Sequence, residues 1–309
     1  VKIAVLGAGA MGALFGGYLS KKNDVCLIDV NSALIKKINN DGVCIREKNG
    51  SNAIYHPKAV TDSKDLGNVD LVITFVKSMF TLDALECNKA IIGSNTYLMT
   101  LQNGAGHENK LLQFTDSHHV IIGSTQHNSS VIELGYVNHG GSGLCSIGVL
   151  EGESSVLQPI ADTFTACGLE CMTSNNIQRQ IWHKLFTNTA ASSLTAIYQV
   201  PLGFIVDDKK ANGQMRALAR EAVAVANALG LDFDYDTVVT EIQAVCENAR
   251  NGYTSIYADI RDGRKSEIDT ISGSVVEVAK QLGIPVPSHE WVVDTVHGME
   301  RKTERKSGG

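Results

Sequence analysis

Two groups of residues have the types and spacing that chemistry needs. The first is Gly7-Ala8-Gly9-Ala10-Met11-Gly12, followed by Asp29 at the end of the apolar run Val25-Cys26-Leu27-Ile28. Gly7 permits a tight turn, Gly9 lets a pyrophosphate approach the backbone, and Gly12 lets a helix pack closely on a sheet. Ala10, Met11 and Gly12 then open a helix whose free N–H groups and partial positive charge face the phosphates. The second group is Lys184, Asn188 and Ser192, which recur at helical spacing and share one face of an expected helix. A lysine and an amide above an apolar stripe are also what a solvated face presents, so this group carries no function alone.

The glycine turn has meaning only between the right elements. Ile3-Ala4-Val5-Leu6 before it reads as a strand. Leu71 to Val76, Tyr97 to Leu101 and Val120 to Gly123 are continuous apolar runs, the pattern of buried parallel strands. Lys77 follows the first of them, on the ligand side of an open α/β sheet. Residues 31–38 read as an amphipathic helix capped by Asn31 or Ser32. Asn49-Gly50 signals a hairpin between residues 43–46 and 53–55. Glycines and alternation over residues 131–149 suggest antiparallel strands. Residues 159–167 read as a helix and Cys171-Met172 as a last short strand. From about Asn175 the pattern is helical: residues 177–197, 215–229, 237–249, 268–282 and 289–301, with Gly230 and Gly283 as helix stops. Residues after Lys302 read as a mobile tail. The expected fold class is α/β: an N-terminal Rossmann-type doubly wound sheet, residues 1–174, then an all-α substrate-binding domain, residues 175–309.

Composition narrows the partners. The 309 residues suffice for two domains, and 43% hydrophobic content suits a proper core. A net charge of −6 disfavours nucleic acid. No apolar run approaches a membrane span, and no basic n-region with h-region precedes the first strand, so a cytoplasmic location is expected. The seven cysteines are odd in number and include no CxxC, so buried reduced thiols are expected. His118-His119, if on a strand, point to opposite faces. No metal is expected.

The order of motifs along the chain resembles the ketopantoate reductase family. The glycine turn, Phe75-Val76-Lys77, Gln102-Asn103-Gly104-Ala105-Gly106, Lys184 to Asn188, Ser255 to Asp259, Ser266-Glu267-Ile268-Asp269 and Gly283-Ile284-Pro285-Val286-Pro287 carry it, and they span nearly the whole chain. The resemblance implies that Lys184 is the catalytic lysine, donating a proton to the substrate carbonyl oxygen. It makes Glu267 the acidic partner near the nicotinamide and this lysine. Asn103 takes the ribose and substrate end of the cofactor, with Ala105 in the same loop, and Lys77 is a cofactor contact. Asn188, Ser192 and Ser255 fall at substrate-binding positions. The chemistry is coherent: hydride attack on a ketone develops charge on oxygen, which an ammonium stabilises and protonates.

Two departures from that family shape the expectation. Ile28-Asp29-Val30-Asn31 has no basic residue where NADPH users carry one, and Asp29 suits ribose hydroxyls better than a 2′-phosphate. Ser192 replaces a commonly found asparagine, beside Ala190 and Ala191, which suggests a roomier, less polar pocket. The expected activity is therefore NADH-dependent reduction of branched or aromatic 2-oxo acids to D-2-hydroxy acids by a cytoplasmic homodimer, with NADPH less favoured. Two alternatives remain: 2-dehydropantoate 2-reductase of pantothenate biosynthesis, and a non-catalytic NAD-binding sensor. The sensor has no need of Lys184, Asn188 and Glu267 together.

Overall fold

The computed structural model describes the backbone of residues 1–307 and the side chains of residues 1–302. Contacts divide the chain into two units: Val1–Gln102 with His107–Ile177, and Asn103–Gly106 with Gln178–Gly309.

The first unit contains strands β1 (Lys2–Leu6), β2 (Asp24–Ile28), β3 (Val43–Arg46), β4 (Asn52–Tyr55), β5 (Lys58–Val60), β6 (Leu71–Thr74), β7 (Tyr97–Thr100), β8 (Val120–Thr125), β9 (Asn128–Glu133), β10 (Tyr136–Gly141), β11 (Cys145–Val149) and β12 (Cys171–Thr173). Its helices are α1 (Ala10–Leu19), α2 (Ser32–Asp41), α3 (Thr81–Cys87), α4 (Glu108–Leu111) and α5 (Gln158–Ala166). Among the described residues, one sheet of eight strands has the order β12-β11-β8-β7-β6-β1-β2-β5. β1 pairs in parallel with β2 and β6, setting Ile3 beside Val25 and Leu71. The parallel run from β5 to β8 is the doubly wound arrangement expected, and β11 closes it antiparallel to β8. β6 is buried on both faces, as its unbroken Leu71-Val72-Ile73-Thr74 requires.

A second sheet, β4-β3-β10-β9, goes beyond the expectation. The Asn49-Gly50 hairpin forms between β3 and β4, with Arg46 opposite Asn52. β9 and β10 pair antiparallel, but β10 lies parallel to β3, and β11 returns to the main sheet. Beside α1, Tyr18 donates to Glu47 at 2.5 Å, and His139 bridges Glu47 and His127. His118 and His119 sit on a 3-10 turn rather than a strand, with His119 Nδ1 on Asp116. All seven thiols are free; Cys87 is exposed, against the buried expectation.

The second unit is helical: α6 (Ile177–Thr187), α7 (Ser193–Tyr198), α8 (Leu202–Asp207), α9 (Lys209–Ala228), α10 (Tyr235–Asn248), α11 (Ser255–Arg261), α12 (Ile268–Leu282) and α13 (Pro287–Ser307). Its core includes Trp182, Phe186, Met215, Ile242, Ile271 and Val292, each at most 1% exposed. Burial of such side chains is worth about 1.5–3 kcal/mol each. α12 has the expected bounds. The expected helix over 177–197 is not continuous: a π-helical turn, Asn188–Ser192, separates α6 from α7. α9 begins earlier than residue 215 because Asp208 caps it, accepting from Lys210 and Ala211. α8 and α11 have no counterpart in the expectation. α13 continues past the expected tail start to Ser307; residues 308–309 lie outside the described residues. No helix among the described residues is long and apolar enough to cross a membrane.

The start of α13 yields a stability prediction. Glu221 of α9 accepts from Ser288 N at 2.9 Å, His289 N at 3.1 Å and His289 Nδ1 at 2.8 Å. Burial alone would raise the Glu221 carboxyl, but these hydrogen bonds outweigh it and hold it below its ordinary value of 4.5. A depressed carboxyl stabilises the fold above its unfolded value, and that contribution is lost as pH falls through the folded one. Wild type should therefore out-melt Glu221→Gln at neutral pH by about 1.5–3 kcal/mol, the range for hydrogen bonds to charge. The gap should close as pH falls below 4.5. A gap constant from pH 7 to pH 3 in thermal melts contradicts the assignment.

Candidate active site

In the first unit, the backbone of the glycine turn explains each glycine separately. Gly7 has φ +95°, and a Cβ there would lie 2.8 Å from Val76 N. A Cβ on Gly12 would sit 1.8 Å from Gly7 O, so its tight contact is the turn itself; the close helix–sheet approach falls one turn later, at Gly16 against Leu27. Gly9 differs: a Cβ there would meet no protein atom within 4 Å. Among the described residues nothing requires glycine at that position, whereas a pyrophosphate approaching the backbone does. Gly9 is also the N-cap of α1, and no side chain caps that amide end. The residues therefore fit a dinucleotide.

Asp29 closes the same site. Its Oδ2 accepts from Ala8 N at 2.8 Å and its Oδ1 from Asn31 N at 2.9 Å. Each carboxylate oxygen keeps a further lone pair for a hydroxyl donor. Asn31 in turn caps α2, accepting from Leu34 N at 3.1 Å. Lys77 stands between β6 and a 3-10 turn, Ser78–Phe80, and is partly buried. Gln102, to which the motif over residues 102–106 assigned no role, positions its surroundings. Its Nε2 donates to Val76 O at 2.6 Å and Thr81 Oγ1 at 3.0 Å, while Oε1 accepts from Thr100 at 2.9 Å. It thereby fixes the loop that carries Lys77. The signal for it was its place at the C-terminal end of β7.

In the second unit, Lys184 lies on α6, whose inner face is held by Trp182, Leu185 and Phe186, each 1% exposed. Asn188 begins the π turn and Ser192 ends it. A π turn changes the register of the face, and Ser192 finishes only 6% exposed. Ala190 and Ala191 are wholly buried, so they belong to the core rather than to a pocket wall. Hydroxyls service the carbonyls around the turn: Ser193 Oγ donates to Asn188 O at 3.5 Å, and Thr195 Oγ1 to Ser192 O at 2.8 Å. The run Thr189 to Thr195, dense in small and hydroxyl residues, was the available signal.

Hydrogen bonds join this turn to the other candidate segments. Thr189 and Ser193 both meet Ser272 Oγ of α12, at 2.8 and 3.0 Å. Thr195 meets Thr254 at 2.9 Å, and Thr254 caps α11, of which Ser255 is the exposed first residue. Glu267 is the N-cap residue of α12 and is partly buried. Thr270 N and Oγ1 both donate to Glu267 O at 3.2 Å. Thr270 O accepts from Ala105 N at 3.3 Å, which seats the loop of Asn103 on this same turn. Asn103, Asn188, Ser192, Ser255 and Glu267 thus lie on segments bonded to one another, and Lys184 precedes Asn188 by one turn.

Comparison with known proteins agrees with both halves. The sequence profile described as Ketopantoate reductase PanE/ApbA matches residues 3–152, and that of its C-terminal part matches residues 176–300. The 2-dehydropantoate 2-reductase of Pyrococcus horikoshii is 32% identical over 93% of this chain and 93% of its own length. That of Halobacterium salinarum is 28% identical, over 97% of this chain and 99% of its own. A solved structure of D-mandelate dehydrogenase with NADH and anilino(oxo)acetate matches with a TM-score of 0.91 at 27% identity, covering 98% of this chain and 99% of that one. Fold and site together define an NAD(P)-dependent oxidoreductase that acts on the CH–OH group of a 2-hydroxy acid. The chain belongs to the ketopantoate reductase family.

Proposed function

We propose that the chain reduces branched or aromatic 2-oxo acids to D-2-hydroxy acids with NADH. Asp29 carries this reading: its carboxylate sits on the glycine turn, and no basic residue follows until Lys36. A 2′-phosphate placed beside it costs on the order of one to a few kcal/mol, or about tenfold or more in affinity. The likeness to a D-mandelate dehydrogenase solved with NADH supports the same reading. Ser192 in place of an amide favours apolar substrate side chains, at about 0.8 kcal/mol per buried methylene.

The backbone around Gly9, the start of α1 at Ala10, Met11 and Gly12, and the Asp29 carboxylate hold the dinucleotide, with Lys77, Asn103, Ala105 and Glu267 as further contacts. The bound nicotinamide supplies the hydride. As the carbonyl carbon gains its C–H bond, the electron pair moves to oxygen, where Lys184 Nζ stabilises it and hands over a proton. Solvent restores the lysine proton. Glu267 keeps the ammonium oriented, and Asn188, Ser192 and Ser255 hold the substrate without a full salt bridge. In this reading the working assembly is a cytoplasmic homodimer.

The names of the curated relatives support a second reading, reduction of 2-dehydropantoate. The test is kcat/KM for ketopantoate, 2-oxoisocaproate and phenylglyoxylate, each with NADH and NADPH, with chiral analysis of the products. NADH should be preferred about tenfold. The larger apolar substrates should lead by a similar factor and give the D product. Ketopantoate leading by a decade selects the second reading, and no turnover of any 2-oxo acid leaves the sensor.

A further inference from the structure

Two residues of α13 bond to the start of α12. Glu300 Oε1 accepts from both Ser266 N and Ser266 Oγ, each at 2.8 Å. Glu300 Oε2 meets His297 Nδ1 at 3.1 Å, and His297 Nε2 meets Asp269 Oδ1 at 2.9 Å. Ser266 immediately precedes Glu267, and Asp269 follows it in the first turn of the helix. The Glu300 side chain is 9% exposed, so this is a largely buried carboxylate with both oxygens committed. Each ring nitrogen of His297 faces a carboxylate oxygen, and an ionised carboxylate only accepts, so both nitrogens donate and the ring is an imidazolium. Burial would lower the His297 pKa, but Glu300 and Asp269 outweigh that and hold it above its ordinary value.

We infer that Glu300 and His297 are positioning residues for Glu267, holding the two positions that bracket it. Glu267 sits at φ −98°, ψ 28°, and its carbonyl is held by the helix, accepting from Thr270 N at 3.2 Å and Ile271 N at 3.1 Å. What α13 adds is a hold on the chain to either side of it, at Ser266 and Asp269. Ser266 is 3% exposed and is fixed on two atoms at once. Without Glu300 its amide and hydroxyl lose that acceptor, and the turn before α12 gains freedom to shift. Asp269, tethered by His297, restrains the other side of the same turn. Neither α13 residue touches substrate in this account; they act through Glu267. The inference rests on the proposed role of Glu267 beside Lys184.

The experiment compares Glu300→Ala, Glu300→Gln, His297→Gln and Glu267→Gln for kcat, KM, NADH affinity by fluorescence, and Tm. Glu300→Gln keeps an amide oxygen for Ser266, whereas Glu300→Ala keeps nothing. A displacement near 1 Å costs about 10²-fold in rate, so Glu300→Ala should lose about 10- to 100-fold in kcat while NADH affinity holds. Glu300→Gln should recover most of that loss, and His297→Gln should fall between. If Glu300→Ala does not fold, the ordering of Glu300→Gln and His297→Gln below wild type in kcat carries the test. Wild-type kcat in the Glu300 and His297 variants, with Glu267→Gln impaired, overturns this inference alone, even if Tm falls. Wild-type kcat in Glu267→Gln overturns the reading beneath it.

Discussion

Lys184→Ala should lower kcat by about 10²- to 10⁴-fold, the range for a positioned general acid, with NADH binding largely unchanged. The separation is expected because Lys184 lies on α6 of the helical unit, while the glycine turn and Asp29 belong to the other. Stability should hold too. The anchors of α6 are Trp182, Leu185 and Phe186, which the substitution leaves in place. Alanine is at least as good a helix former as lysine. Lys184→Arg sharpens the test. Guanidinium keeps the charge but does not give up its proton, so it should rescue electrostatic stabilisation and not proton donation. Pre-steady-state turnover with excess NADH reads the chemical step directly. An alanine variant with near-normal kcat would make Lys184 an ordinary half-buried helix residue, and the face it shares with Asn188 a solvated one.

What the sequence made legible follows from how local each determinant is. The glycine turn and Asp29 are read within one βαβ unit, and the structure joins them by the Ala8–Asp29 hydrogen bond. α12 was legible to the residue because apolar period, start and glycine stop all lie in one stretch. The π turn was hidden because Leu185, Phe186, Ala190 and Leu194 keep an apolar face that looks unbroken. What reveals it is a hydroxyl on another helix, Ser272, which the local sequence does not contain. α11 was missed because its seven residues bury only Ile256 and Ile260, too few for a period to show. The pairing of β3 with β10 joins residues far apart in sequence, which no window reaches. The candidate residues were found through the order of motifs; the bonds that hold them together, Thr270 to Ala105 and Thr195 to Thr254, are tertiary and were not legible.

Gly104→Ala should cost about 10²-fold in kcat, although the side chain it adds is one methyl. Two effects coincide at this position. Its φ is +101°, where an L side chain is strained, and a Cβ would lie 1.8 Å from Thr270 O and 2.6 Å from Thr270 C. Those are backbone atoms of a helix, not the yielding end of a side chain. α12 has little room to give way, since Ile268 and Ile271 are at most 1% exposed and Ser272 is bonded to Thr189 and Ser193. The loop must therefore move. Asn103 moves with it, and the Ala105–Thr270 hydrogen bond is lost. Gly106→Ala is the matched control: it also has positive φ, +79°, but its Cβ would meet nothing within 4 Å. It should carry only the left-handed strain of about 1–2 kcal/mol, visible in Tm and hardly in kcat. If both variants lose rate alike, strain in the loop is responsible and the seat on α12 is not. If Gly104→Ala alone keeps its rate, Asn103 is not placed by this contact at all.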